Sequence, residues 1–181
     1  MLKLIKFTLL TLLAMALLLG LAVVFLPDHY EVRREITIDA EAADIHPYVE
    51  EFARWERWCP WNVEAFPSLV NTYSGPERGV DCAWSWTMDE GPGGMVVTAS
   101  DPERGVWFDL SFGEPGRVMH SKGVIQYLPA EAEGSTTVAW SNQGQLSGVS
   151  KLMGPLLDSM MGRDFESGLT ALEQLVESAA D

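Results

Sequence analysis

The chain has 181 residues, with 12 basic and 26 acidic side chains and a formal net charge of −14 at pH 7. This acidity excludes electrostatic binding to nucleic acid or to anionic lipid headgroups. Hydrophobic residues make up 47% of the sequence and include seven Trp, which excludes a disordered tail. Two cysteines are too few for a disulfide scaffold. We expect Cys59 and Cys82 to be free thiols, with a single bridge as the alternative.

The segment Phe7–Leu26 is an uninterrupted run of 20 residues without a charge. At about 1.5 Å per residue, a helix of this length spans about 30 Å, the thickness of a bilayer's hydrocarbon core. A cleavable signal peptide is one alternative, but typical signals have an apolar region of about 7–15 residues, and no Ala-x-Ala-like site follows here. A buried helix of a soluble domain is another, but such helices are rarely apolar on every side. We therefore predict an uncleaved transmembrane anchor.

The charges beside this run predict its orientation. Lys3 and Lys6 precede it, and the positive-inside rule then places the N-terminus in the cytoplasm. The predicted segments are a cytoplasmic N-terminus (1–6), a transmembrane anchor (7–26) and one domain (27–181). The chain is thus expected to be a single-pass membrane protein with its domain outside the cytoplasm, on the periplasmic or extracytoplasmic side. Lys3 and Lys6 are the only charges before Pro27, so this domain carries a formal net charge of −16.

A strand and two short helices are predicted to open the domain. Tyr30–Asp39 alternates between apolar and polar side chains, which is typical of a half-buried strand. Asp39 is expected to cap a helix over Ala42–Glu51. A second helix over Phe52–Trp58 ends before Pro60, because the residue that precedes a proline resists helical geometry.

Six more strands and one long helix are predicted to follow. The strands are Phe66–Tyr73, Val80–Met88, Gly94–Ser100, Val106–Phe112, Val118–Leu128 and Thr136–Gln143. Turn-forming residues separate them, which indicates an antiparallel meander and not βαβ units. From Leu156 to Val176 apolar residues recur at helical spacing, and Gly154-Pro155 marks either a kink or the true start of this last helix.

The order of these elements predicts an α+β domain. A long antiparallel sheet must cover one apolar face, and only the C-terminal helix is long enough to do so. This order matches the helix-grip fold, a curved antiparallel sheet of about seven strands (order β-α-α-β6-α) wrapped around a long C-terminal helix. Here it is preceded by one predicted transmembrane helix.

One hairpin can be aligned by counting residues. If Glu114–Arg117 is a four-residue loop, Ser111 lies opposite His120 and Leu110 lies opposite Ser121. An Asp109–Lys122 pair then belongs on the solvent face, and His120 shares that face. The inward face contains Val106, Phe108, Leu110, Phe112, Met119, Ser121, Gly123, Ile125 and Tyr127.

Inward aromatic side chains suit a wide cavity with rigid walls, and methionines suit an adaptable wall or entrance. Tyr127 and Ser121 are the polar groups expected to orient a ligand. The predicted ligand-binding residues are Trp84, Trp86, Phe108, Leu110, Ser121, Tyr127, Trp140, Met160, Met161 and Phe165. Ordinary core packing is the alternative for most of them. Trp55 and Trp58 share a helical face, and we expect them to lock their helix against the sheet, with a gate or a bilayer contact as the alternative.

No catalytic or metal-binding pattern stands out in the sequence. His29, His46 and His120 show no His-x-x-x-His spacing, and there is no Cys-x-x-Cys, nucleophile elbow or phosphate loop. His46 falls in the first short helix. We therefore predict no catalytic residue, no metal and no cofactor.

Several segments resemble the polyketide cyclase/dehydrase and lipid-transport superfamily, which includes START domains and plant pollen-allergen-like proteins. They are Ile36–Ala40, Trp55–Trp61, Gly79-Val80 with Trp84–Trp86, Thr137–Trp140 and Gly162–Leu169. The resemblance covers nearly everything after Pro27 and implies a cavity for lipids, polyketides, steroids or similar molecules.

Three functions stay open, because this superfamily mixes enzymes, carriers and sensors. The first, which we favour, is a membrane-tethered binding module for a hydrophobic small molecule or lipid. The second is a cyclase-, dehydrase- or hydrolase-like enzyme that acts on a hydrophobic substrate. The third is a structural envelope domain that contacts a partner protein. No oligomeric state is predicted.

Overall fold

The computed structural model describes residues 2–180, apart from the side chains at positions 2, 16, 19, 22 and 180. Helices, including two short 3₁₀ helices (η1 and η2), alternate with a single sheet. In chain order the elements are α1 (Leu2–Phe25), β1 (His29–Ile38), α2 (Ala42–Val49), η1 (Phe52–Arg57), β2 (Val70–Ser74), β3 (Ala83–Thr87), β4 (Gly93–Asp101), β5 (Gly105–Phe112), β6 (Met119–Pro129), β7 (Thr136–Gln145), η2 (Gly148–Met153) and α3 (Gly154–Ala180).

The seven strands form one antiparallel sheet in the order β1-β7-β6-β5-β4-β3-β2. Strands β2 to β7 are neighbours in sequence order, as a meander requires, and β1 joins the free edge of β7. Helix α3 packs along β1, while α2 and η1 cover the other part of the inward face. The predicted α+β helix-grip fold, with seven strands and a long C-terminal helix, is confirmed.

Arg34 holds α3 to β1. It lies on the inward side of β1, where its guanidinium donates to Glu166 Oε1 at 2.6 Å and to Asp158 Oδ1 at 2.9 Å. These carboxylates are two turns apart on α3, and Gly162 lies between them. A Cβ at Gly162 would lie 2.1 Å from the guanidinium, so a larger residue there would displace the arginine from its present position beneath the helix.

Helix α1 includes nearly all of the predicted anchor run. Its large apolar side chains are exposed, among them Leu10 at 65%, Leu17 at 66% and Phe25 at 79%. Among the residues described in full, no helix combines the length and the apolar character that a membrane crossing requires. The anchor and the segment boundaries 1–6, 7–26 and 27–181 stay predictions, and the outermost residues of these segments, Met1 and Asp181, lie outside the described residues.

The predicted helix cap at Asp39 is wrong. Helix α2 begins after Glu41, which makes no side-chain cap bond. Asp39 instead joins three elements, because its carboxylate accepts a hydrogen bond from Ser135 Oγ at 3.1 Å and its N–H donates to Glu177 Oε1 at 3.2 Å. The loop before β7 and the end of α3 are therefore fastened to the end of β1.

The second strand of the chain was predicted to begin at Phe66, but β2 begins at Val70. The intervening residues form consecutive turns, in which the Phe66 N–H donates to Asn62 O and the Leu69 N–H donates to Phe66 O, both at 2.9 Å. Asn62 also accepts hydrogen bonds from the Glu64 and Ala65 N–H groups through its side chain. The Phe66 and Leu69 N–H groups are therefore used within these turns and are not available to pair with a neighbouring strand.

The centre of the domain is a cluster of aromatic rings. Trp55 is fully buried, and its ring centroid lies 5.2–5.6 Å from those of Phe52, Phe108 and Trp140 in edge-to-face contacts. The Trp55 indole N–H donates to Val49 O at 2.9 Å, so η1 is bound to α2 as well as to the sheet. The expectation that Trp55 locks its helix against the sheet is confirmed. Cys59 and Cys82 are buried free thiols, as expected.

Candidate functional site

The counted hairpin is confirmed residue for residue. Ser111 pairs with His120, Leu110 with Ser121 and Asp109 with Lys122. His120 is exposed, as predicted for the outward face. The inward face of β5 and β6 is therefore the predicted one, and it forms the wall of the candidate site.

The ten predicted ligand-binding residues divide into three groups. Five are core residues, exposed by 6% or less: Trp84, Phe108, Tyr127, Trp140 and Phe165. Four are half-buried: Trp86, Leu110, Ser121 and Met161. Met160 is 52% exposed. The interior is thus closed in one part and open in another.

The closed part contains tightly packed rings. Trp140 stacks on Phe165 with centroids 4.3 Å apart and an angle of 10° between the ring planes. Gly168 of α3 lies against the same indole, where a Cβ would be 2.8 Å from Trp140. Close-packed side chains leave little room for a guest molecule. Trp140, Phe165 and their neighbours therefore form the closely packed, rigid part of the interior.

The open part lies at the end of the sheet where α1 joins the domain. The chain enters β1 beside the end of β7, since Leu146 N–H donates to Asp28 O at 2.7 Å, and Lys151 of η2 donates to Leu26 O at 3.1 Å. Inward residues at this end are only partly covered. We call them the mouth, and they are Trp86, Leu110, Phe112 and Ser121 of the sheet with Leu157 and Met161 of α3.

A chain of polar groups forms one wall of the mouth. Tyr30 OH donates to Asn142 Oδ1 at 2.9 Å, and Asn142 Nδ2 donates to Ser121 Oγ at 3.1 Å. Burial raises the pKa of Tyr30, so this phenol stays protonated at neutral pH. The Tyr30 ring lies over Gly144, where a Cβ would meet the ring at 2.7 Å. Sequence reasoning identified Ser121 here but missed Tyr30 and Asn142.

Trp86 adds an unused donor at the mouth. Its indole crosses Gly93 on the neighbouring strand, and a Cβ at that glycine would lie 2.3 Å from the ring. Among the described residues, Trp86 Nε1 is the one buried side-chain nitrogen or oxygen without a hydrogen-bond partner. An unsatisfied buried donor typically costs about 1–3 kcal/mol, and an acceptor on a ligand would recover this cost once the indole turns to expose the nitrogen.

Tyr127 does not join Ser121, although both were predicted to orient a ligand. They are six residues apart on β6, which corresponds to about 20 Å along a strand. Tyr127 OH instead lies 3.1 Å from His46 Nδ1, at the end of the sheet covered by α2. The two predicted polar groups thus belong to separate sites.

The Tyr127 site is a buried relay of hydrogen bonds. His46 Nε2 lies 3.1 Å from Ser100 Oγ and 3.4 Å from Glu50 Oε2, and Ser100 Oγ lies 3.5 Å from the same carboxylate oxygen. One consistent arrangement has Tyr127 donating to His46, His46 to Ser100 and Ser100 to Glu50. Burial raises the pKa of Tyr127, so the phenol stays protonated.

His46 was missed as a site residue, although the sequence contains a signal for it. Ile45 and Val49 are inward positions of α2, and His46 lies between them with Glu50 one turn further on. An i,i+4 His–Glu pair at the edge of an apolar stripe indicates a buried ion pair or relay. Burial lowers the pKa of His46 more than the facing Glu50 and Asp101 carboxylates raise it.

We expect His46 to make the domain less stable in mild acid. Its pKa is lower in the folded chain than in the unfolded one, so the unfolded chain binds a proton first as the pH falls below about 6.5. The free energy of unfolding should therefore decrease from pH 7.5 to pH 5.5, as measured by urea titration. His46→Gln should reduce this slope, whereas His120→Gln, at an exposed site, should leave it unchanged. Equal slopes for all three proteins would contradict the assignment.

Two surface concavities lie outside this interior. One, of about 470 Å³, lies on the outer face of β4, β5 and β6, and the other, of about 580 Å³, lies along the outward side of α3. Within residues 2–180, no group of three or more His, Cys, Asp and Glu side chains is arranged to hold a metal ion.

Solved structures share the fold of the described chain. Ara h 8.0201 superposes with a TM-score of 0.59 at 14% identity, covering 83% of this chain and 99% of its own. Norcoclaurine synthase from Thalictrum flavum gives a TM-score of 0.58 at 16% identity, with coverage of 82% and 86%. A protein from Thermobifida fusca gives 0.58 at 20% identity, with coverage of 81% and 92%. At these identities the similarity shows the fold alone.

Sequence comparison assigns the family. No curated protein matches the chain. Residues 29–177, which run from the first residue of β1 almost to the end of α3, match the family described as polyketide cyclase / dehydrase and lipid transport. This family agrees with a role in binding hydrophobic ligands or in cyclase-like chemistry. The chain belongs to the polyketide cyclase/dehydrase and lipid-transport family.

Proposed function

We propose that the chain binds a hydrophobic small molecule or lipid. This ligand enters through the mouth, at the end of the sheet where α1 joins the domain. The observation that carries this proposal is the partial exposure of apolar side chains on the inward face of the sheet. Leu110 and Phe112 point inward, yet neither is fully covered by α3 or by the short helices. Apolar surface that is left partly exposed favours a ligand because its burial removes that surface from water.

The polar groups of the mouth suggest the chemistry of the ligand. Ser121 Oγ accepts a hydrogen bond from Asn142, and its hydroxyl, which is within reach of Tyr30, can turn to donate its proton to a ligand. Trp86 Nε1 is a second donor. Both groups are donors in a largely apolar site, so they fit a ligand with one carbonyl, carboxyl or ether oxygen on an apolar body.

We propose further that the domain is tethered to a membrane through the Phe7–Leu26 run and lies outside the cytoplasm. Support comes from the uncharged length of this run, the two lysines before it, and the exposure of the apolar side chains of α1. Protease added to sealed right-side-out vesicles should digest the domain. Digestion only in inverted vesicles would reverse the orientation, and a soluble mature protein that starts near Pro27 would show a signal peptide instead.

Binding is tested by titrating the full chain in detergent with fatty acids, isoprenoids and polyketides while tryptophan emission is recorded. A saturable change that is reduced in Trp86→Phe supports the proposal, because Trp86 is the tryptophan at the mouth. Trp107→Phe, on the outward face, is the matched control. The absence of a saturable ligand across this panel would instead support the structural role.

A second candidate function is catalysis, and the buried relay of Tyr127, His46, Ser100 and Glu50 favours it. Such a set can move a proton between its ends without exposing a charge. A protein that shares the fold, norcoclaurine synthase, is named as an enzyme. If this candidate is correct, Tyr127→Phe and His46→Gln should lower turnover of an identified substrate while the Kd for that substrate stays constant. Unchanged turnover in both variants would exclude the relay from catalysis.

A further inference from the structure

Apolar side chains are exposed on both sides of the mouth. On η2 and the first turns of α3 they are Val149, Met153, Leu156 and Met160, which are 78%, 45%, 51% and 52% exposed. Across the mouth, at the start of β6, Val118 and Met119 are 42% and 58% exposed. We call these six residues the rim. Exposed apolar patches of this kind typically mark a contact with a partner or a membrane.

The rim lies beside the point where α1 leaves the domain. Lys151, within η2, donates a hydrogen bond to Leu26 O, directly after the last residue of α1. Three residues, 26 to 28, separate α1 from β1. At about 3.5 Å per residue, such a linker reaches roughly 10 Å at most, so the rim end of the domain cannot move far from the end of α1.

We infer that the rim inserts among the lipids at the surface of the bilayer that anchors the chain, so that the mouth opens toward the membrane interior. This inference rests on the tether proposed above. The residues of the rim are uncharged and the domain is strongly acidic, so the contact is hydrophobic and does not require anionic lipid. A ligand with a long apolar body then passes between the bilayer and the mouth without crossing water.

The test uses the full chain in phosphatidylcholine vesicles with a fluorescent NBD group on one cysteine. Val149→Cys and Met160→Cys report on the rim. Gln145→Cys is the matched control, because Gln145 is exposed at the end of β7 and so lies at the same end of the sheet. Cys59 and Cys82 stay unlabelled, since both are buried and burial raises their pKa, that of Cys59 to about 12.

Phosphatidylcholine with a nitroxide on its acyl chain is expected to quench NBD at positions 149 and 160 and to leave position 145 largely bright. Adding salt should not change this pattern. Equal quenching at all three positions would overturn the inference, because closeness to the tether alone would explain it. Self-quenching of NBD between copies, without lipid quenching, would also overturn it and would indicate that a second copy covers the rim.

Failure of the rim contact can be separated from failure of the proposed function. Flotation with vesicles reports the tether alone. Leu110→Asp, made in the labelled variants, disables the mouth and changes no further rim residue. Rim quenching that persists in this background supports bilayer contact independently of ligand binding. Quenching that disappears when the mouth is disabled would show that the nitroxide lipid was bound as a ligand. That result would contradict the inference.

Discussion

Replacing Leu110 by Asp is expected to weaken binding of a hydrophobic ligand by at least about tenfold, equivalent to about 1.4 kcal/mol. Leu110 lies on the inward face of β5, opposite Ser121 and half-buried within the mouth. A carboxylate at this position is solvated in the empty mouth and must lose that water when an apolar ligand enters, at a cost of several kcal/mol. The Kd is measured from the ligand-dependent change in tryptophan emission.

Ser111→Asp is the matched control for this variant. Ser111 is the next residue of β5, pairs with His120 and points to the opposite face of the sheet. The same charge placed there should leave the Kd unchanged. Urea midpoints for both variants establish that they are folded at the temperature of the titration. Equal weakening by the two variants would show that charge, and not its position in the mouth, determines binding.

Replacing Trp55 by Ala is expected to lower the free energy of unfolding by about 3–5 kcal/mol. Trp55 is fully buried, contacts five other aromatic rings and fastens η1 to α2 through its indole N–H. Its removal leaves a cavity at the junction of sheet, α3 and η1 and also leaves Val49 O without its partner. Urea or thermal unfolding measures the loss.

The control for the core is Trp107→Ala, since Trp107 is half-buried on the outer face of β5. Its ring centroid lies 5.8 Å from Arg104 Cζ. We expect its effect to be clearly smaller than that of Trp55→Ala. Similar losses for the two variants would mean that the aromatic cluster around Trp55 is not the centre of stability.

The sequence was most informative where one local rule determined the geometry. Counting from the loop at Glu114–Arg117 was sufficient to pair Leu110 with Ser121 and to place His120 outside, because strand side chains alternate strictly between faces. The start of α3 at Gly154 followed from its Gly-Pro pair. Each prediction used residues close together in the chain.

Features that depend on several distant segments could not be read in this way. Tyr127 lies against His46, which is 81 positions away in the chain. His46 in turn lies against Ser100, which is 54 positions away. Whether an inward aromatic packs or lines an opening also depends on where α3, α2 and η1 end above the sheet. Trp84 and Trp86 alternate onto the same face of β3, yet one is buried and the other lies at the mouth.

Fluorine NMR of the full chain containing 5-fluorotryptophan would test the central claim most directly. Seven resonances are expected, one for each tryptophan, and Trp55→Phe, Trp86→Phe and Trp140→Phe assign the three that matter. With increasing ligand, the Trp86 resonance should shift saturably, whereas those of Trp55 and Trp140 should change little, because a ligand in the mouth contacts the first and not the packed core. A saturable shift confined to Trp55 and Trp140, or none at Trp86 with any hydrophobic ligand, would contradict the account.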